Sequence, residues 1–211
     1  MVPRRFFCNG RVENVMTYLA QLGVSFAKRK ALDFGCGVGR VTQPLARYFD
    51  QVWGIDIAPS MIELARIYNQ YGERCQYLVN EAPDLRLVGD HQFDFVYSNI
   101  TLQHMEPDYA KSYIREFVRV LAPGGVVLFQ IPSHLVRRTL RRMIRDVLPA
   151  ELVDLYRALR HRGRPRMGMY GVKKDEMLTL LQHAGASILD VQPDHSAGPE
   201  WSSFRYLAVK H

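Results

Sequence analysis

The sequence predicts an α/β protein of three layers, in which a seven-stranded, mostly parallel β-sheet lies between α-helices. Short apolar segments alternate with segments of helical periodicity along most of the chain, and this alternation is typical of a parallel sheet with helices on both faces. The last two strand-like segments are separated by a short stretch that contains Pro193, Gly198 and Pro199. A parallel crossover normally needs a helix, so we expect the last strand to run antiparallel.

The individual elements follow from periodicity and from the residues at their ends. Predicted helices carry apolar residues every three or four positions, and glycine or proline stands near several of their ends. Predicted strands are short and rich in apolar residues. The strands are expected at residues 31–34, 51–57, 76–79, 93–98, 126–131, 187–191 and 204–209. The helices are expected at residues 11–22, 40–49, 59–68, 109–121 and 173–183.

Size and composition place the chain among ordinary globular proteins. It has 211 residues, of which 47% are hydrophobic and 23% charged, and we expect a single domain over residues 1–211. No apolar run approaches the roughly 20 residues of a transmembrane segment, and the N-terminus does not have the pattern of a signal peptide. Cys8, Cys36 and Cys75 suggest neither a disulfide framework nor a metal site. A reducing, cytoplasmic location is therefore expected.

The excess of positive over negative charge in the chain comes from one segment. Ten arginines and three acidic residues lie between Ser133 and Tyr170, and they account for the whole net charge of +7. Apolar residues recur at helical spacing among these arginines, which predicts a helical insertion at about residues 133–170. The insertion has three open interpretations: a solvated lid, a surface for an anionic membrane or lipid-like acceptor, and a surface for RNA or an acidic partner. Its few aromatic residues disfavour stacking on single-stranded nucleic acid, and nucleic acid is the less expected partner.

A glycine-rich turn follows the first predicted strand and contains Gly35, Gly37 and Gly39. Such a turn lets the backbone approach a ligand closely, but the spacing departs from the G-x-G-x-x-G dinucleotide motif. Asp33 precedes the turn, where a carboxylate would repel a pyrophosphate and attract a ligand with ammonium and sulfonium groups. Asp56 ends the second predicted strand and can accept hydrogen bonds from ribose hydroxyls. An acid at that point is also found in NAD-binding folds.

Four motifs in this order resemble the class I S-adenosylmethionine-dependent methyltransferases, and most of all their "type 11" group, which includes ubiquinone and menaquinone biosynthesis enzymes. The motifs are LDFGCGVGR at 32–40, GIDIAPSM at 54–61, NEAPDL at 80–85 and LAPGG at 121–125. The resemblance covers roughly residues 11–132 and the tail from Gly171, but not the insertion. It implies a Rossmann-like class I methyltransferase fold with strand order 3-2-1-4-5-7-6.

The resemblance also implies a cofactor site for S-adenosylmethionine, with S-adenosylhomocysteine as the product. The glycines would bring backbone against the amino-acid part of the cofactor, and Asp33 would lie near that part. Asp56 would hold the ribose, Ile57 would pack on the adenine, and Glu81 would accept the adenine amino group. Ala58 replaces a common serine and Asn80 a common glycine. The residues assigned to the cofactor are Asp33, Gly35, Cys36, Gly37, Gly39, Asp56, Ile57, Met61, Glu81, Ala82 and Asn99.

The predicted reaction is methyl transfer to a small-molecule acceptor, and the resemblance favours an oxygen or carbon atom. A sulfonium already activates the methyl group, so a base is needed only if the nucleophile must lose a proton. His104 is the candidate base, although a histidine there also suits loop packing. His134 and Tyr170 are further candidates near the acceptor, and Arg11 is a candidate for the cofactor carboxylate. No metal site is predicted.

Three alternatives remain open at this point. The chain can be an RNA methyltransferase that uses the basic insertion, a non-catalytic S-adenosylmethionine-binding or interaction protein, or a nicotinamide-dependent dehydrogenase. Two subclasses are disfavoured by the segment after the fourth strand, which reads SNIT at 98–101. It has neither the Asn/Asp-Pro-Pro-Tyr/Phe motif of DNA amino methylation nor the Pro-Cys nucleophile of cytosine C5 methylation.

Overall fold

A computed structural model describes residues 8–136 and 168–211 of the chain. Residues 137–167, which make up most of the predicted arginine-rich insertion, lie outside the described residues. The strands are β1 (Lys30–Phe34), β2 (Gln51–Asp56), β3 (Cys75–Val79), β4 (Phe93–Ser98), β5 (Leu121–Leu135), β6 (Ala186–Pro193) and β7 (Trp201–Lys210). The α-helices of the described ranges are α1 (Asn9–Gln21), α2 (Thr42–Leu45), α3 (Pro59–Ile67), α4 (Pro107–Val120) and α5 (Lys174–His183).

The strands form one seven-stranded sheet in the order β3-β2-β1-β4-β5-β7-β6. The pairs β1–β2, β1–β4, β2–β3 and β4–β5 are parallel, whereas β7 runs antiparallel to both β5 and β6. The predicted fold class, strand order and antiparallel last strand are therefore confirmed. The direction of β7 follows from the short connection after β6, which is too short for a helical crossover.

Helices cover both faces of the sheet, each with its own apolar core. On one face, Val12 and Leu19 of α1 and Ile62 of α3 are buried against the sheet. On the other face, Phe117 of α4 and Leu181 of α5 are completely buried. The predicted three layers are thus present. None of the helices in the described ranges combines the length and the apolar composition of a membrane-spanning segment.

The helix predicted at 40–49 is shorter than expected. Only Thr42–Leu45 is α-helical, and hydrogen-bonded turns flank it. Pro44 has no backbone N–H and cannot donate to the carbonyl four residues earlier. The carbonyl of Arg40 instead accepts a hydrogen bond of 2.9 Å from the amide of Cys8. The prediction of a full helix over residues 40–49 was wrong, because it gave the helical pattern of the sequence more weight than Pro44.

Candidate active site

The predicted cofactor residues lie along one edge of the sheet. The order β3-β2-β1-β4 places the carboxyl ends of four parallel strands side by side, and ligands of open α/β sheets bind beyond such ends. The strands end here at Val79, Asp56, Phe34 and Ser98. The loops that follow these strands contain most of the predicted cofactor residues.

The loop after β1 contains two packed glycines and one open glycine. Gly35 has φ of +75°, and a Cβ at this position would overlap the Thr101 side chain. Gly37 has φ of +52°, but no atom lies within 4 Å of the place its Cβ would take. Gly39 is packed like Gly35, because its Cβ would overlap the Tyr77 ring. The loop therefore offers free space at Gly37.

Asp33 lies beneath this loop and is only 3% exposed. Its Oδ2 accepts a hydrogen bond of 2.6 Å from Thr42 Oγ1. Burial, reinforced by the charge of Asp56, raises the pKa of Asp33 to about 7, although the Thr42 hydrogen bond and the charge of Arg11 oppose the shift. A cation bound nearby would favour the ionised carboxylate. Asp33 would therefore interact favourably with a positively charged ligand.

Asp56 connects the loop after β1 to the loop after β2. Its Oδ2 accepts from the amide of Gly37 at 2.8 Å, and its Oδ1 accepts from the amide of Ala58 at 3.0 Å. Each carboxylate oxygen has a second acceptor position, so the carboxylate can still receive hydroxyl donors. Next to it, Ile57 and Met61 are 66% and 42% exposed. These apolar side chains face solvent beside Asp56, as contacts for a flat aromatic base require.

The loop after β3 is shaped by Asn80, which stands where the family commonly has glycine. Asn80 is buried, and its Nδ2 donates to the carbonyl of Asp84 at 2.8 Å. The carbonyl of Ala82 accepts from the Tyr113 hydroxyl at 2.6 Å. Glu81 is exposed at the same carboxyl edge of the sheet. Its contact with the adenine stays a prediction. The sequence carried no separate signal for Asn80 or Tyr113.

The loop after β4 packs directly on the loop after β1. Thr101 Oγ1 donates to the carbonyls of Asn99 and Phe34 at 3.3 and 3.4 Å. Ile100, which lies between Asn99 and Thr101, has φ of +61°. This conformation is strained for a β-branched residue and costs on the order of 1–3 kcal/mol. Ile100 donates its amide to Gln130 Oε1 at 3.1 Å. Periodicity and motifs did not predict this arrangement.

The candidate base His104 lies in a 3-10 turn, Leu102–His104, just beyond this loop. Its Nδ1 lies 3.0 Å from the carbonyl of Gly168, and its Nε2 lies 3.2 Å from Gln103 Nε2. A carbonyl only accepts and an amide nitrogen only donates, so Nδ1 carries the proton and Nε2 accepts. The ring thus fastens this turn to the segment that begins at Gly168. Its role as a base stays a prediction.

The remaining candidates divide between the site and its rim. The pKa of Cys36 is raised well above its usual value, chiefly by burial, and its amide donates to the carbonyl of Ile55 at 3.1 Å. Cys36 is therefore a small packed residue and its thiol stays protonated. Tyr170 is 37% exposed and His134 is also exposed. In the part of the chain that the structure describes, no histidine, cysteine and carboxylate groups converge as a metal site.

Comparison with known proteins agrees with this geometry. A family model described as a methyltransferase domain matches residues 32–129. The chain is 30% identical over 182 residues to a ubiquinone biosynthesis O-methyltransferase of Xanthomonas euvesicatoria, and the alignment covers 86% of this chain and 70% of the relative. The chain belongs to the class I S-adenosylmethionine-dependent methyltransferases. The resemblance seen in the sequence is thereby confirmed, and the cofactor of this methyltransferase is S-adenosylmethionine.

The chain is also similar to two further relatives and to one solved structure, which align with it over different shares of their length. A ubiquinone biosynthesis O-methyltransferase of Ruegeria pomeroyi is 32% identical over 166 residues, and the chain spans 62% of its length. A trans-aconitate 2-methyltransferase of Methylobacterium radiotolerans is 36% identical over 124 residues, which are 56% of this chain and 43% of the relative. A magnesium protoporphyrin IX methyltransferase from Synechocystis, solved with bound S-adenosylhomocysteine, superposes with a TM-score of 0.69 at 20% identity. That superposition covers 96% of this chain and 83% of the other.

The site fits the cofactor of the family. The open space at Gly37 admits a ligand against the backbone, and the buried Asp33 favours a positive charge. Asp56 retains acceptor positions next to the exposed Ile57. These features match the ammonium and sulfonium groups, the ribose and the adenine of S-adenosylmethionine. The same arrangement would disfavour the pyrophosphate of a nicotinamide dinucleotide.

Proposed function

We propose that this methyltransferase transfers the methyl group of S-adenosylmethionine to an oxygen atom of a small-molecule acceptor, with a carbon atom as the second candidate. The observation that carries the proposal is the open backbone at Gly37, which lies beside Asp33 and Asp56. The names of two relatives, ubiquinone biosynthesis O-methyltransferases, favour oxygen. Because the chain spans only part of these relatives, the acceptor is inferred and not transferred from them.

In the proposed reaction the protein acts mainly by binding and orientation. The bound cofactor supplies a methyl group that its sulfonium has already activated. Gly35, Gly37 and Gly39 shape the surface against which the amino-acid part lies, and Asp56 holds the ribose. Ile57 and Met61 cover the adenine, with Glu81 and the backbone of Ala82 at its edge. Holding donor and acceptor in line can supply most of the rate acceleration.

His104 is the proposed base for a hydroxyl acceptor. Its Nε2 is the nitrogen that lacks a proton, and it accepts from Gln103 Nε2 at 3.2 Å. The acceptor hydroxyl would have to replace Gln103 as the donor to this nitrogen. The Gly168 carbonyl would then support the imidazolium through Nδ1, at 3.0 Å. In the proposed reaction, the acceptor hydroxyl would pass its proton to Nε2 during methyl transfer.

We extend the proposal to the basic insertion at about 133–170 and to the location of the chain. With its ten arginines against three acidic residues, the insertion would receive an anionic membrane or a lipid-like acceptor as part of a single domain over 1–211. Such an arrangement suits a cytoplasmic enzyme that meets its acceptor at a membrane surface. Sedimentation with vesicles tests it: salt-sensitive binding to phosphatidylglycerol but not to phosphatidylcholine supports it, and equal or no binding contradicts it.

A binding and turnover experiment tests the central proposal. Isothermal titration with S-adenosylhomocysteine should show saturable binding, and labelled S-adenosylmethionine should methylate a member of a panel of phenols, hydroquinones and carboxylic acids. Asp56→Asn should weaken binding at least tenfold, because an amide nitrogen cannot accept from Gly37 or Ala58. Asp50→Asn is the matched control at the amino end of β2 and should leave binding unchanged. Absence of binding to the wild type contradicts the proposal, and methylation of RNA alone would reassign the acceptor.

A further inference from the structure

A buried polar network lies directly behind the strained residue of the loop after β4. Gln130 of β5 is 1% exposed and Ser203 of β7 is 4% exposed. Gln130 Nε2 donates to Ser203 Oγ at 2.6 Å and to Gln103 Oε1 at 3.4 Å. This leaves Gln130 Oε1 to accept the amide of Ile100 at 3.1 Å. Both the oxygen and the nitrogen of the buried Gln130 amide are therefore hydrogen-bonded.

The position of Ile100 is unfavourable for its residue type. Among the described residues, His91 and Ile100 are the non-glycine residues with positive φ, and of these only Ile100 is β-branched. A β-branched side chain in the left-handed region is a genuine outlier that persists only where its surroundings determine it. The side chain of Ile100 is 38% exposed. The hydrogen bond from its amide to Gln130 is therefore a specific restraint on the backbone here.

The consequence of this restraint reaches the methyl-donor loop. Ile100 directly precedes Thr101, whose side chain occupies the space above Gly35 and donates to the carbonyl of Phe34 at 3.4 Å. If Ile100 relaxed to negative φ, the chain direction would change at the residue before Thr101. Thr101 would then leave Gly35, and the loop would lose the packing that fixes its first glycine.

We propose that Gln130 is a positioning residue for the methyl-donor site. Its buried amide holds Ile100 in the left-handed conformation, which keeps Thr101 against Gly35 and so preorganises the loop for the cofactor. Gln130 acts through the backbone and not by contact with the reacting atoms. The inference rests on the proposed cofactor role of this loop, and two separate measurements keep the two ideas distinguishable.

The first measurement is stability, and it compares Ile100→Gly with Ile100→Ala. Both variants lose the isoleucine side chain, but only glycine occupies positive φ without strain. At ordinary φ alanine is the more stabilising residue of the two. We expect the reverse order here, with the Tm of Ile100→Gly above that of Ile100→Ala by about 2–4 °C. An equal or lower Tm for Ile100→Gly would overturn the inference without reference to any ligand.

The second measurement is the affinity for S-adenosylhomocysteine in a cycle of variants. Gln130→Met keeps the length of the side chain and removes the acceptor, and it should weaken binding about three- to tenfold, the range of one lost hydrogen bond. In the Ile100→Gly background the same change should weaken binding less than twofold, because glycine adopts positive φ without strain and has no steric drive to leave it. In the Ile100→Ala background the full loss should remain.

The outcomes separate the two ideas. If Gln130→Met binds as the wild type does, or loses the same affinity in the glycine and alanine backgrounds, Gln130 is not a positioning residue. If the wild type itself does not bind S-adenosylhomocysteine while the Tm order holds, the proposed function fails and the left-handed conformation of Ile100 stands. Should Gln130→Met not fold, Ser203→Ala removes one anchor of Gln130. It should then show the same contrast between the two backgrounds with a smaller loss.

Discussion

Gly35 and Gly37 both have positive φ, yet alanine should act differently at each. Alanine at positive φ costs about 1–2 kcal/mol by its backbone alone, and this cost applies at both positions. At Gly35 the new methyl would also meet Oγ1, Cγ2 and Cβ of Thr101. Because Cβ itself is in the way, rotation of the Thr101 side chain does not clear the overlap, and overpacking adds about 1–3 kcal/mol. Gly35→Ala should therefore destabilise the protein by about 2–5 kcal/mol, and Gly37→Ala by about 1–2 kcal/mol.

The ligand affinities should follow a different order from the stabilities. The methyl of Gly37→Ala would project into the space that the structure leaves open, where we place the amino-acid part of the cofactor. Urea unfolding gives the two free energies, and isothermal titration with S-adenosylhomocysteine gives the affinities. We expect Gly37→Ala to stay folded and to bind at least tenfold more weakly. The reasoning is refuted if Gly37→Ala binds like the wild type, or if Gly35→Ala unfolds no more easily than Gly37→Ala.

Three further predictions concern pH, catalysis and stability. The pKa of Asp33 is raised from 3.8 to about 7, so its favourable contribution to the unfolding free energy is complete below about pH 4 and is lost as the pH rises through 7. Asp33→Asn should therefore flatten the decline of the unfolding free energy between pH 4 and 7. An unchanged pH profile would show that Asp33 titrates normally. His104→Ala should lower turnover of a hydroxyl acceptor by about 10²–10⁴-fold with an unchanged affinity for S-adenosylhomocysteine, and unaltered turnover would remove His104 as the base. Ala58 directly precedes α3 at the capping position and provides no side-chain cap. Ala58→Ser should therefore raise the unfolding free energy by about 0.5–1 kcal/mol, measured in urea against Ala20→Ser on the exposed face of α1 as the control.

The elements that the sequence predicted correctly are those governed by local pattern. The strand at 93–98 and the helix that begins at Pro59 have the expected bounds or nearly so, because burial periodicity and proline position act within a few residues. The strand at 126–131 was predicted too short, since β5 runs from Leu121 to Leu135. Its start at Leu121 lies opposite Phe93 of β4, and its extension beyond Ile131 depends on pairing with β7, whose Trp201 lies opposite Leu135. That pairing joins residues far apart in the chain and has no local signature.

By itself the sequence determined the class of this protein. Alternating strand and helix patterns predicted the α/β fold. The glycines after β1, the acids Asp33 and Asp56 and the four motifs that resemble the family indicated a methyltransferase, because each signal is read from neighbouring residues. Only the tertiary structure decided which glycines are packed and which is open, since Thr101 reaches Gly35 from the loop after β4. It also decided the raised pKa of Asp33 and the strained backbone of Ile100. Both depend on burial and on partners that lie close in space but distant in the chain.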